Sequence, residues 1–175
     1  MYLWREVLML RLNRRLLGVA AAVVFAASLT VTGATAASAT PARVSGTLSV
    51  QIVSTSATSP TESVITHGLF TDYGVDFPGN SVDKIVLQNG SFKVAHSPGV
   101  GPQSFNPQTC LLIVAQHGTY KIYRGTGKYR GIRGSGTYQI SLTSIGARVK
   151  GQWSQTLPPV AYQLIITASG PVSLP

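Results

Sequence analysis

From residue 44 to residue 53 the chain alternates strictly. Val44, Gly46, Leu48, Val50 and Ile52 take one set of positions; Ser45, Thr47, Ser49 and Gln51 take the other. A two-residue period sustained this long predicts a β-strand with one face dry and one wet. Residues 54–63 are polar, contain Pro60 and read as a connection, and residues 64–70 read as a second strand. Residues 72–80 hold Gly74, Pro78 and Gly79 and read as a loop. Residues 82–88 and 91–96 flank Asn89-Gly90. That dipeptide between apolar runs predicts a hairpin, because a type I′ turn needs positive φ at both central positions.

Further on, residues 97–109 carry Pro98, Pro102 and Pro107 and predict a long loop of the kind that serves as a lid or binding loop. Residues 108–124 form a long strand region, with a bulge expected at His117-Gly118. Residues 125–136 are half glycine and predict a tight connector. Strands follow at 137–143 and 147–154, Pro158-Pro159 breaks the run, and 162–169 is the last strand. No amphipathic helical pattern interrupts these elements. The chain is therefore expected to be all-β, a single antiparallel barrel of about eight strands in meander order. Closure removes the sheet edges that would otherwise pair with other chains.

The N-terminal segment is different. Arg11, Arg14 and Arg15 precede an uncharged apolar run over residues 16–29, and Ala34-Thr35-Ala36 and Ala37-Ser38-Ala39 both offer small-x-small sites. This predicts a helical signal peptide over residues 1–39, cleaved after Ala36 or Ala39, with the barrel domain over 40–175 and a secreted product. An uncleaved membrane anchor is the competing reading, since no charge falls between Arg15 and Arg43. The run turns to Ser, Thr and Gly after Leu29, short of the twenty apolar residues a span needs.

Charge changes the picture modestly. The chain carries a net +9; residues 40–175 hold five Lys and five Arg against Glu62, Asp72, Asp76 and Asp83, a net +6. Such an excess suits solubility or attraction to anionic cell-envelope polymers. Cys110 is the one cysteine, so no internal disulfide forms, and its place before Leu111-Leu112-Ile113-Val114 predicts a small buried side chain.

Candidate chemistry is sparse. The glycine connector fails the P-loop pattern at both ends and the dinucleotide fingerprint in spacing, and strand-like residues follow it where a helix is required. No Gly-x-Ser-x-Gly elbow occurs. Asp72, Asp76, Asn80 and Asp83 do not match a calcium loop and read as turn residues. His67, His96 and His117 lack metal-ligand spacing. No cofactor or metal is expected. His67 shares a strand face with Ile65 and Leu69 and is expected to point inward; His96 shares one with Phe92 and Val94. In a barrel with a cavity, Phe92, His96, Phe105, Tyr120 and Trp153 are the expected ligand-lining residues. Lys121, Lys128, Arg130 and Arg133 raise nucleic-acid binding, which a secreted address argues against, so no nucleic-acid partner is expected.

Gly125-Thr126-Gly127-Lys128-Tyr129, followed by Arg133-Gly134, resembles the glycine motif of allene oxide cyclase-like and dirigent-like β-barrels. There a strand runs into Gly-Thr-Gly-Lys-aromatic, a small turn, then Ala-Arg-Gly and the next strand; Ile132 stands here in place of the usual small residue. The domain also resembles small secreted actinobacterial proteins of unknown function. The resemblance implies an eight-stranded barrel with a cavity for a hydrophobic or phenolic small molecule, acting without a cofactor. If it also implies a cyclase or isomerase, His67, Asp72 and Tyr138 are the catalytic side chains to test.

Overall fold

The structure is a computed structural model and describes residues 42–175. The signal-peptide reading of residues 1–39 lies outside the described residues.

Eleven strands follow one another: β1 (Val44–Ser54), β2 (Glu62–Gly68), β3 (Asp72–Phe77), β4 (Val82–Leu87), β5 (Gly90–His96), β6 (Gln103–Asn106), β7 (Leu111–Tyr123), β8 (Arg133–Ile145), β9 (Arg148–Val149), β10 (Gln152–Trp153) and β11 (Ala161–Leu174). All pairings are antiparallel, and β5 pairs with β7 to close the ring β1-β2-β3-β4-β5-β7-β8-β11. The domain is thus a closed, eight-stranded, up-and-down barrel. β6 sits outside the ring and pairs with the N-terminal part of β7, while β9 and β10 make a small separate hairpin.

Register assigns the inner face. In β1, Leu48, Val50 and Ile52 point inward; they face Gly68, Thr66 and Val64 of β2 and Gly170, Ala168 and Ile166 of β11. Carried around the ring, the same parity places Ile85, Leu87, Phe92, Val94, Tyr120, Ile122, Tyr138 and Ile140 inside. Most of these form one buried cluster. The outward residues are Ser, Thr, Gln and Lys with scattered apolar side chains.

Several expectations are corrected. Residues 72–77 are strand β3, not loop. Glycine and aspartate disfavour strands, but β2 and β4 supply ladders on both sides, and Gly74 is needed there because a Cβ would lie 2.0 Å from the Val86 carbonyl oxygen. Asp72 and Asp76 are therefore inward strand residues rather than turn residues. Within residues 97–109 a strand, β6, forms. β7 runs through His117-Gly118 with unbroken register against β8, so no bulge occurs. Residues 147–154 fold as two short strands rather than one. His67 is exposed, and register puts it on the outer wall with Ile65, opposite to the inward expectation. Cys110 is buried, as its apolar setting suggested.

The connector closes one end of the barrel, which we call the base. Its middle forms a short 3-10 turn, Gly127–Tyr129, and drives the Tyr129 ring into the interior. That ring lies 4.7 Å from Phe70 and meets Phe92 edge-on at 5.8 Å. Only Gly127 and Gly131 of the connector use positive φ. Gly125 is required for a different reason: a Cβ there would sit 1.7 Å from the Tyr129 carbonyl oxygen.

Candidate functional site

At the base every buried polar group is answered. Asp72 projects inward from β3 beneath Tyr129. Its carboxylate accepts hydrogen bonds from the Tyr73 amide at 2.8 Å, the Asn89 amide at 3.3 Å, the Asn89 side-chain amide at 3.0 Å and the Tyr129 hydroxyl. Burial alone would push this carboxyl up, but the hydrogen bonds from Tyr129, Asn89 and Tyr73 outweigh it and hold it at about 2. Tyr129 in turn is raised, by burial and then by Asp72. Thr66 locks the same corner by donating to the Asp72 carbonyl and accepting from its amide, both at 3.1 Å. Asp72 is ionised, fully bonded and sealed from solvent, which is the description of a structural anchor.

The opposite end, the mouth, is built from the same residue types with a different result. Glu62 and Asp76 are directly opposed across β2 and β3. Asp83 enters from β4, opposite Val94 of β5. His96, two residues further along β5, brings its Nε2 to 3.4 Å from the Asp83 carboxylate and is paired in register with Tyr120. Tyr138 reaches across Gly118, donates to the Ser97 carbonyl at 2.7 Å and presents its ring edge-on to His96 at 6.2 Å.

Two atoms here are left without hydrogen-bond partners: Asp76 Oδ1 and the Tyr120 hydroxyl. Asp76 is 1% exposed and Tyr120 4%. Burial, then the charges of Asp83 and Glu62, push the Asp76 carboxyl up to about 8, against an opposing hydrogen bond from the Phe77 amide. Burial and then Asp83 raise Glu62. Burial raises Tyr120, and burial and then Glu62 raise Tyr162. Asp83 acts on both Asp76 and Glu62, and Glu62 acts on both Asp76 and Tyr162, so these side chains share one compartment. At neutral pH Asp76 is a carboxylic acid that both donates and accepts.

The wall above this cluster is apolar and open. Val114, Ile140, Leu142, Tyr162, Leu164 and Ile166 all face inward by register, yet each remains partly exposed. Inward side chains stay exposed only where the interior itself reaches solvent. On the same side of the sheet, Phe105 of β6 packs against Trp153 of the β9-β10 hairpin, with ring centroids 4.6 Å apart and planes tilted by 44°. A concavity of about 280 Å³ lies at the base, lined by Tyr123, Arg124, Gly125, Gly131, Ile132 and Arg133.

The residues singled out from sequence are thus divided. His96, Tyr120 and Tyr138 meet at the mouth. Phe105 and Trp153 pack as a pair beside it. Phe92 and Asp72 belong to the base, and His67 to the outer wall. Glu62, Asp76 and Asp83 complete the mouth and were not singled out as a site. Their signal was parity: Asp72, Gly74 and Asp76 alternate as a strand does. Among the described residues no three His, Cys, Asp or Glu side chains converge to hold a metal ion. Comparisons with protein-family models, with curated proteins and with solved structures found no match.

Proposed function

We propose that this barrel is a secreted carrier or receptor for an apolar small molecule bearing a hydroxyl or phenol group, held in the mouth. The observation that carries the reading is the coincidence of an open apolar wall with two buried, partnerless polar atoms, Asp76 Oδ1 and the Tyr120 hydroxyl. A buried polar atom left unpaired costs about 1–3 kcal/mol. A phenolic hydroxyl in the mouth relieves one of them by donating to Asp76 or by accepting from Tyr120, while its ring lies on Leu142, Leu164 and Ile166. Membership of the allene oxide cyclase-like or dirigent-like barrels belongs to the same proposal and rests on the connector motif. So does secretion, with cleavage after Ala36 or Ala39 or retention as a membrane anchor.

Untargeted mass spectrometry of molecules co-purifying with the protein, combined with titration of 2-naphthol as a fluorescent phenol, tests this. Tyr120→Phe removes one hydrogen bond worth about 1.4 kcal/mol and weakens naphthol binding about tenfold. Leu142→Trp fills the mouth and abolishes binding. Unchanged naphthol affinity in the Leu142→Trp protein would sink the reading.

One observation favours a second function. An acid held protonated at neutral pH in an apolar trough is equipped to protonate a bound substrate, so a cofactor-free cyclase or isomerase would use Asp76 as its general acid. Turnover of an unsaturated epoxide, lost in Asp76→Asn with binding retained, distinguishes catalyst from carrier.

A further inference from the structure

Glu62, Asp72, Asp76 and Asp83 all face the barrel interior. The ten Lys and Arg side chains of residues 42–175 lie on the outer wall and in the loops, nine exposed and Lys93 partly so. Among the described residues no Lys or Arg is ion-paired with a carboxylate; the one such contact is His96 with Asp83. The surface is therefore far more basic than the net charge of the domain implies.

The cations also have an arrangement. Lys84 and Lys93 are directly opposed on β4 and β5, and Lys93 is opposed to Tyr123 of β7. The Arg124 guanidinium lies over the Tyr123 ring at 5.8 Å. Arg124 has φ 53, a left-handed backbone unusual for a side chain of this size, and with Arg133 it lines the 280 Å³ concavity beside Gly125 and Gly131. Opposed lysines repel, by some tenths of a kcal/mol up to about 1. Nothing in the fold relieves that repulsion.

We infer that this face binds a flexible, phosphate-bearing linear polymer: one phosphate enters the Arg124–Arg133 concavity, and the following phosphates run along Lys93 and Lys84. Two guanidinium forks suit a tetrahedral oxyanion better than point charges do. A lipid surface would need an apolar wedge at this end, where glycine and arginine stand instead. A nucleic acid would need free stacking rings beside the guanidinium groups, but Tyr129 is buried and the Tyr123 ring lies beneath Arg124.

The test uses long-chain inorganic polyphosphate, labelled at one end, with the full protein at 20 to 200 mM salt. The logarithm of affinity should fall linearly with that of salt concentration. Arg124→Gln with Arg133→Gln should weaken binding tenfold or more. Arg148→Gln with Lys150→Gln removes the same charge at the other end of β8 and should weaken it less than threefold. Arg124→Lys with Arg133→Lys keeps the charge, loses the forks and should still weaken binding at least threefold. All four replaced side chains are exposed, so thermal melting temperatures should match the wild type. Equal losses in the two glutamine pairs, tighter binding of a single-stranded oligonucleotide or of phosphatidylglycerol vesicles, or no binding at 20 mM salt would each overturn the assignment.

Discussion

Replacing Asp76 by Asn keeps the shape of the side chain and removes its ionisation. The effect on stability follows from the mouth. Folded Asp76 titrates at about 8 against an ordinary value of 3.8. Between these two values the folded chain holds the proton and the unfolded chain has released it. The folded state binds more protons, so stability falls as pH rises, by about 1.4 kcal/mol per pH unit, and levels off above pH 8. From pH 5 to pH 8 the wild type should lose about 4 kcal/mol through this group. The Asn protein has nothing to titrate there. Urea unfolding followed by far-UV circular dichroism at pH 5, 6.5, 8 and 9 gives both curves, and their difference cancels the titrating groups that are not coupled to position 76. Asp76→Asn should gain on the wild type steadily up to pH 8, becoming the more stable by about 3–5 kcal/mol. A difference that stays the same at pH 5 and pH 8 would show that the carboxyl is not held protonated, and the reading of the mouth would fail with it.

Two further substitutions probe the base. Tyr129→Phe keeps the ring contacts with Phe70 and Phe92 and deletes the hydroxyl that donates to Asp72. Loss of one bond to a charged acceptor should destabilise by about 1.5–3 kcal/mol at pH 7. Because Asp72 is depressed to about 2, that loss should shrink as pH falls from 4 toward 2, measured by the same unfolding assay; a loss that does not change with pH would refute the anchor. Gly125→Ala would set a Cβ against the Tyr129 carbonyl. The connector then has to open, so the protein should lose about 3 kcal/mol or more and should bind the dye 1-anilinonaphthalene-8-sulfonate as the base unseals.

The barrel was legible in the sequence because its signals are local. Alternation in β1, Asn89-Gly90 and the connector each report geometry that a few neighbouring residues determine. What could not be read was set by partners distant in sequence. β3 carries Asp72, Gly74 and Asp76, residues that favour turns, and becomes a strand only because β2 and β4 flank it. Its assignment to a loop removed two inward carboxylates from view, and with them the mouth. His67 failed for the complementary reason. Ile65 looked like a core residue and took His67 inward with it, yet the buried face of β2 is Val64 and Thr66, and Ile65 is 55% exposed. A single exposed isoleucine thus reversed the face of a strand.

The two ends of the barrel set one chemistry in two conditions. Asp72 and Asp76 lie on the same face of one strand, four residues apart, and both are buried. At the base, four donors converge on Asp72 and its charge is stable at any ordinary pH. At the mouth, Asp76 meets two more carboxylates and a hydrogen bond from the Phe77 amide, and one of its oxygens meets no donor. Hydrogen bonds lower the one, and burial together with the charges of Asp83 and Glu62 raises the other. Stability alone would favour Asn, Ser or an apolar residue at position 76, which would avoid a loss of several kcal/mol at neutral and basic pH. A fold that satisfies the base so completely has the means to satisfy the mouth. The two unpaired atoms at the mouth, Asp76 Oδ1 and the Tyr120 hydroxyl, are what the proposal of a bound hydroxyl or phenol rests on.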